Sequence, residues 1–225
     1  KICAVLIEPI QGEAGVVVPD EGYLRQVHDL CKKHNSLLIA DEIQTGIART
    51  GKMLCTEWEQ MRPDIVVLGK ALSGGVTPVS AVLADDHIMS VFTPGTHGST
   101  YGGNPLGCAV SMEALQVVKD EKLVDNSRVL GELFRSEMAT MITGKGIVKK
   151  VRGKGLLNAI VIDSKHDQMI GKTAYDVCMK LKDNGLLAKQ THDWIIRFAP
   201  PLIINESQLR ECIGIIKNTI QEFEK

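Results

Sequence analysis

The sequence predicts an α/β fold: part of a large domain built on a mostly parallel sheet, followed by a smaller α+β C-terminal domain. Three observations carry this expectation. Two short apolar runs, residues 37–40 and the β-branched 65–68, read as buried parallel strands, and each delivers one charged residue near its carboxyl end, Asp41 and Lys70. Between and before them lies sequence long enough for the crossovers that parallel strands need. After TGKG at residues 143–146 the pattern changes to β, β, α, β, α.

Residues 2–7 form the first predicted strand, with no initiator Met, targeting segment or capping element before them, so the sequence reads as a piece of a longer chain. The next segment, EPIQGEAG, is a loop at that strand's carboxyl end, marked by Pro9, Gly12 and Gly15. Its titratable groups are Glu8 and Glu13. Asp20 is expected to cap a helix whose apolar positions Leu24, Val27, Leu30 and Cys31 share one face, with Lys32, Lys33 and His34 at its negative end. His28 and His34 fit no metal-ligand spacing.

The second strand ends in Asp41 and continues as DEIQTG. Asp after a strand commonly caps a turn. Arg49 and Thr50 belong to a structural turn ending at Gly51, and Glu42 receives no role. The third strand ends in LGKALSGG. An isolated lysine at such a place usually just reaches solvent. Taken together, however, Asp41 and Lys70 would face one crevice at the edge where open α/β sheets keep ligands. Lysine there serves as a fixed cation or, when its pKa is lowered, as an amine able to form a Schiff base. A pyridine-type cofactor between the two would have its ring nitrogen kept protonated by the carboxylate and its aldehyde carbon held by the lysine.

Residues 79–83 re-enter a strand. HGSTYGGNPLGC, residues 97–108, is a glycine-rich loop in which Ser99 and Thr100 are neutral donors of the kind that suit a phosphate; His97 is a turn residue. Asn104 caps and Pro105 starts a helix with an apolar stripe of Leu106, Val110, Ala114 and Val117, and helix continues to about Met141. The domain change falls near residue 125, giving domains 1–125 and 126–225.

In the second domain, residues 156–162 form a strand, a helix around residues 174–181 ends at Asn184-Gly185, and KQTHDW is a loop before the strand IIRF. The last helix begins at Asn205 with Gln208 as capping partner and buries Leu209, Ile213, Ile216, Ile220 and Phe223. Arg197 lies between apolar strand residues, where a structural salt bridge or a bound carboxylate would satisfy it. Taken alone it reads as a bridge.

Composition narrows the function classes. With 44% hydrophobic and 24% charged residues in 225, the chain is ordinary globular protein, and a formal net charge of −1 gives no polyanion-binding signal. No basic block points to nucleic acid and no apolar run is long enough to span a bilayer. Six cysteines are scattered without a CxxC spacing, which suggests reduced thiols in an intracellular protein, of the mitochondrial matrix or the cytoplasm.

The segments IEPIQGEAG, IADEIQTG, LGKALSGG, HGSTYGGNPLGC, VRGKGLLNAIVI, DNGLLAK and IIRFAPPL, in this order and spacing, resemble the class III branch of the fold type I pyridoxal phosphate aminotransferases, in its ornithine aminotransferase group. The resemblance runs from the first residues to the last helix and implies a homodimer with a shared active site. It implies pyridoxal 5'-phosphate on Lys70, Asp41 at the ring nitrogen and Gln44 at the phenolic oxygen. Ser99 and Thr100 would reach the partner subunit's cofactor phosphate. Glu13 would shield Arg197 when L-ornithine occupies the site and release it to the α-carboxylate of 2-oxoglutarate. Further phosphate-binding and substrate-binding groups would lie in a missing half. Thr77, where an aromatic is more usual, and KQTHDW depart from the family's wording. Sister ω-aminotransferases acting on acetylornithine or 4-aminobutyrate share the Asp and Lys motifs, and a piece that only dimerises and is inactive by itself is the reading from another class.

Overall fold

A computed structural model describes residues 2–224; Lys1 and Lys225, the outer limits of the two expected domains, lie outside the described residues. The chain divides into two compact units, Lys1–Pro9 with Pro19–Ala48 and Lys52–Val124, and Ile10–Val18 with Arg49–Gly51 and Asp125–Lys225. The main division thus falls inside the helical connection, while two short segments of the first half are built into the second unit.

The first unit contains β1 (Ala4–Ile7), α1 (Tyr23–Lys33), β2 (Leu37–Asp41), β3 (Ile65–Leu68), β4 (Ala81–Ala84), the single-turn α2 (Asp86–Met89) and α3 (Pro105–Asp120). Its sheet has the order β1-β2-β3-β4, with β1, β2 and β3 parallel and β4 antiparallel to β3. Leu38 and Ala40 alternate inward along β2 and are fully buried, and Leu24, Cys31 and Met61 pack in the same cluster as Leu38. Asp64 pins the entry to β3 by accepting from the Leu38 amide at 2.8 Å while Lys32 at the end of α1 lies 2.9 Å from its other oxygen.

Three expectations are corrected here. The N-cap of α1 is Gly22, not Asp20: the chain turns through Gly22 at φ 82°, so helix starts at Tyr23 and the exposed Asp20 contributes only its carbonyl, to the Tyr23 amide. Leu30 points outward and is exposed, unlike Leu24 and Cys31. In α3, Asn104 does cap, accepting from the Gly107 amide at 2.8 Å, but the face turned inward carries Gly107, Ser111 and Val118, while Leu106 and Val117 are exposed. Small residues let the helix approach the turn that follows β3 closely; a Cβ on Gly74 of that turn would stand 3.4 Å from Ala114.

The second unit holds α4 (Leu123–Ala139) from Asp125 onward, β5 (Val148–Lys154), β6 (Leu157–Ile162), α5 (Ala174–Asp183), β7 (Lys189–Thr191), β8 (Ile195–Phe198) and α6 (Glu206–Phe223). Its sheet is antiparallel throughout in the order β5-β6-β8-β7. One face buries Ile160, Ile162, Ile196 and Phe198 against Leu181 of α5 and Leu209, Ile213, Ile216 and Ile220 of α6; Phe223 is half-buried at its margin. The Asn205–Gln208 capping box forms in both directions, at 2.9 and 3.0 Å. KQTHDW is not a loop throughout: Lys189–Thr191 is a strand, paired with β8 across a turn that passes through His192 at φ 55°.

Candidate active site

The carboxyl ends of β2 and β3 define a candidate site within the first unit. Asp41 is the register partner of Val67, so the chain leaves β3 toward Lys70 at the edge where Asp41 ends β2. One Asp41 oxygen accepts from the Ile43 amide at 3.0 Å, which fixes the carboxylate. Its other oxygen has no hydrogen-bond partner among the described residues, and neither has the exposed Lys70 amine.

Lys70 is set in a strained backbone. Its φ is 43°, in the left-handed region that a non-glycine residue enters at a cost of roughly 1–3 kcal/mol. The following turn, Lys70–Ser73, closes with the Leu72 amide on the Gly69 carbonyl, and the Ser73 hydroxyl donates to the Thr77 carbonyl. This turn over-determines the conformation of Lys70 and fixes where its side chain leaves the sheet.

Beside Asp41, Glu42 is 1% exposed and accepts from the Thr56 amide at 2.8 Å and from the Thr45 hydroxyl. It is a buried carboxylate satisfied by hydrogen bonds, and it ties the segment after β2 to residues 55–59. Gln44 is half-buried in that segment. Ser99 and Thr100 lie in the exposed stretch 92–103, where Ser99 accepts from the Gly102 amide at 2.9 Å. The structure brings neither of them within hydrogen-bond reach of Asp41 or Lys70.

A second candidate cluster lies wholly in the second unit. Cross-strand partners Arg152, Ala159, Arg197 and Lys189 form one rung across β5, β6, β8 and β7. Directly paired residues share a face, so two guanidinium groups and one amine stand in a row, with fully buried Ala159 between the two arginines. Over this rung lies the segment 10–18, closed by a bridge between Gln11 and Val17 and anchored by Ile10 and Val16 at 1% and 0% exposure.

This segment sets Glu13 on the rung. Arg197 Nη1 donates to Glu13 Oε1 at 2.7 Å, and Lys189 Nζ donates to Oε2 at 3.3 Å. Chiefly the hydrogen bond from Arg197, then that from Lys189, lowers the Glu13 pKa from an ordinary 4.5 to about 2. Arg197 has only 15% of its side chain exposed and Glu13 has 61%, so the acid is the partner with room to move. Two bonds from Arg152, at 2.8 and 3.1 Å, hold the Gly15 carbonyl, and burial lowers the pKa of that guanidinium. Gly15 adopts φ 102°, and a Cβ there would lie 2.4 Å from Ile195.

Arg49, an expected turn residue, donates to the carbonyls of Leu156 and Pro200 at 3.1 and 2.7 Å and so fixes the exit from β8; desolvation lowers its pKa to about 10. Lys189 and Arg152 are the members of the site that sequence reasoning missed. The signal for Lys189 was a three-residue strand hidden in KQT; Arg152 carried none, because its partner is a backbone carbonyl.

All six cysteines are free thiols, and among the described residues no helix is long and apolar enough to cross a membrane. Comparison with known proteins places these features in a family. The class-III aminotransferase family matches residues 1–220. The mitochondrial ornithine aminotransferase of Drosophila melanogaster is 61% identical over 220 residues, covering 98% of this chain and 49% of that protein. Among solved structures, ornithine aminotransferase from Plasmodium yoelii matches with a TM-score of 0.93 at 51% identity, over 98% of this chain and 57% of that one. Acetylornithine aminotransferase from Elizabethkingia anophelis matches with a TM-score of 0.91 at 60% identity, over 97% and 56%. The chain spans about half the length of the curated relatives it matches. A strained lysine and a fixed aspartate at one sheet edge, with a family match over nearly the whole sequence, make this chain a member of the class-III aminotransferases, a pyridoxal phosphate-dependent family.

Proposed function

We propose that the full-length protein carrying this chain transfers the δ-amino group of L-ornithine to 2-oxoglutarate, giving glutamate 5-semialdehyde and glutamate, with pyridoxal 5'-phosphate as cofactor. The donor is suggested by relatives named ornithine aminotransferase at 54–61% identity. The observation that carries the reading is the Glu13–Arg197 ion pair. A protein that handles two dissimilar substrates in one site needs a carboxylate-binding group that can be covered for one and uncovered for the other.

The residues at the first sheet edge fit the cofactor. Asp41 offers a fixed acceptor to a ring N–H, and Lys70 offers an unengaged amine to an aldehyde carbon. When bound, pyridoxal phosphate supplies a ring able to take up the electron pair left on substrate carbon when a proton departs. Asp41 would keep positive charge on the ring nitrogen by ion pairing. Lys70 Nζ would hold the aldehyde carbon of the bound cofactor and, as a free amine, would move the proton of the substrate carbon. Gln44 would donate to the phenolic oxygen, and Ser99 and Thr100 would serve the phosphate of a partner subunit's cofactor in a homodimer. Exposed apolar side chains in the first unit, among them Val82, Phe92, Tyr101, Leu106 and Met112, support burial of this surface against further protein. The mitochondrial matrix is the compartment suggested by relatives named mitochondrial.

Glu13 covers Arg197 while ornithine donates its δ-amino group, because an open Arg197 would instead capture the α-carboxylate and present the α-amine. With 2-oxoglutarate, Glu13 withdraws and Arg197 takes the α-carboxylate in a charge-assisted bond. A second reading, acetylornithine as donor, is favoured by the 60% identity to the Elizabethkingia protein. The test is the visible cofactor band of the full-length holoenzyme on adding L-ornithine without oxo acid. Bleaching of that band is the expected result; a band that ignores L-ornithine and bleaches with acetylornithine moves the assignment to the second reading.

A further inference from the structure

The withdrawal of Glu13 needs somewhere for the carboxylate to go. Leaving a 2.7 Å charge-assisted bond to Arg197 for water alone forfeits most of that attraction. The rung supplies an alternative. Lys189 is the direct cross-strand partner of Arg197 and already lies 3.3 Å from the second Glu13 oxygen. That separation is longer than the roughly 2.7–2.9 Å of a well-formed ammonium–carboxylate bond, so this contact has attraction still to gain. Its side chain is 60% exposed and carries its charge on a flexible stem, so the amine can follow a moving carboxylate.

The backbone beneath Glu13, by contrast, is held. Arg152 grips the Gly15 carbonyl with two bonds, Gly15 rests against Ile195, and Ile10 and Val16 are buried. Release of Arg197 is therefore a rotation of the Glu13 side chain, with no loop opening required.

Resting on the functional reading above, we propose that Lys189 is a positioning residue that receives the Glu13 carboxylate when Arg197 is released to a substrate carboxylate. Arg152 holds the segment in register during the exchange. If Lys189 only reinforced the closed Glu13–Arg197 pair, removing it would ease opening. If it receives Glu13, removing it makes opening harder. The two roles differ in sign.

The test is calorimetric binding of glutarate, an unreactive dicarboxylate, to the full-length holoenzyme. Lys189→Met should weaken binding by about threefold, the scale of one solvent-exposed ion pair, and Lys189→Arg should restore it. In a Glu13→Gln background, where no carboxylate has to be received, Lys189→Met should have no further effect. Unchanged or tighter binding in Lys189→Met, failure of arginine to restore it, persistence of the effect without Glu13, or no glutarate binding by the parent each overturns the proposal. Bleaching of the cofactor band by L-ornithine in the same preparation is read separately. A glutarate series that behaves as expected beside a band that ignores ornithine sinks only the choice of donor.

Discussion

Asp41 and Lys70 leave neighbouring parallel strands at the same end of one sheet, one residue held by a hydrogen bond from the Ile43 amide and the other by a left-handed backbone. The sheet converts distant sequence positions into one polar edge. Neither residue carries structure that its loss would collapse: Lys70 is exposed, and Asp41 accepts a single local bond. Their cost to the fold is borne by the turn around them, which is the pattern expected where strain serves chemistry.

Lys70→Ala should therefore abolish transamination in the full-length holoenzyme while leaving the melting temperature near that of the parent. Asp41→Ala should lower turnover by about a hundredfold or more, the usual scale for removing a group that governs proton transfer. Single-turnover rates with L-ornithine measure both. Near-parental rates in either variant would sink the assignment of the edge as the reactive site.

The Glu13 carboxyl supplies a pH prediction. Its pKa falls from 4.5 to about 2 in the folded chain, first through the hydrogen bond from Arg197 and then through that from Lys189. A depressed acid stabilises the fold above its unfolded pKa and loses that contribution as pH falls through the folded value. The stability difference between parent and Glu13→Gln should thus be constant above about pH 5, shrink below 4.5 and vanish near 2. The exposure of Glu13 keeps the difference small, so NMR titration of its carboxyl carbon is the sharper measurement. Arg197→Met should move that midpoint back toward 4.5; a midpoint that stays put would remove the ion pair from solution.

Much of this arrangement was legible in the residues. The runs 37–40 and 65–68 announce strands because apolar residues stand unbroken there, and the Asn205 and Asn104 caps follow from side chains that reach amides three residues on. What escaped depended on tertiary packing. Asp20 is a good cap by type, but the left-handed turn at Gly22 starts the helix out of its reach. Hydrophobicity alone predicts a different stripe on α3, whereas the helix approaches its neighbour through small residues, Gly107 and Ser111. Resemblance carried the Glu13–Arg197 pair. Lys189 was hidden because a three-residue strand is too short to show alternation, and its place in the rung exists only once β7, β8, β6 and β5 are in register.

A side chain at Gly15 should be destabilising. Its φ of 102° is strained for an L residue, and an added Cβ would meet Ile195 Cδ1 at 2.4 Å. The isoleucine tip can yield, so the main cost is conformational, about 1–2 kcal/mol for Gly15→Ala. Because the Arg152 grip acts on the same residue, the variant should also loosen Glu13 and raise its titration midpoint. Denaturant unfolding and the NMR titration read the two effects; a stable variant with an unmoved midpoint would separate the segment's geometry from Glu13.

Two helical glycines should respond with opposite signs. Gly131 in α4 faces Gly155 so closely that an added Cβ would stand 1.9 Å from the Gly155 carbonyl oxygen, a backbone atom that cannot rotate away. Gly131→Ala should destabilise by roughly 3 kcal/mol or more, at the upper end of overpacking costs, because helix and loop must separate. Gly214 in α6 meets nothing within 4 Å, so Gly214→Ala gains helix propensity without a clash and should stabilise by about 0.5–1 kcal/mol. Denaturation midpoints of the two variants at constant slope decide the matter. Gly155 itself leaves no latitude for relaxation, since a Cβ there would lie 2.4 Å from the Thr50 carbonyl carbon and 2.6 Å from the Gly51 amide nitrogen. A neutral Gly131→Ala would mean that α4 sits farther from this backbone crossing in solution, and Arg49, whose carbonyl accepts from Ser127 of the same helix, would be the next contact to test.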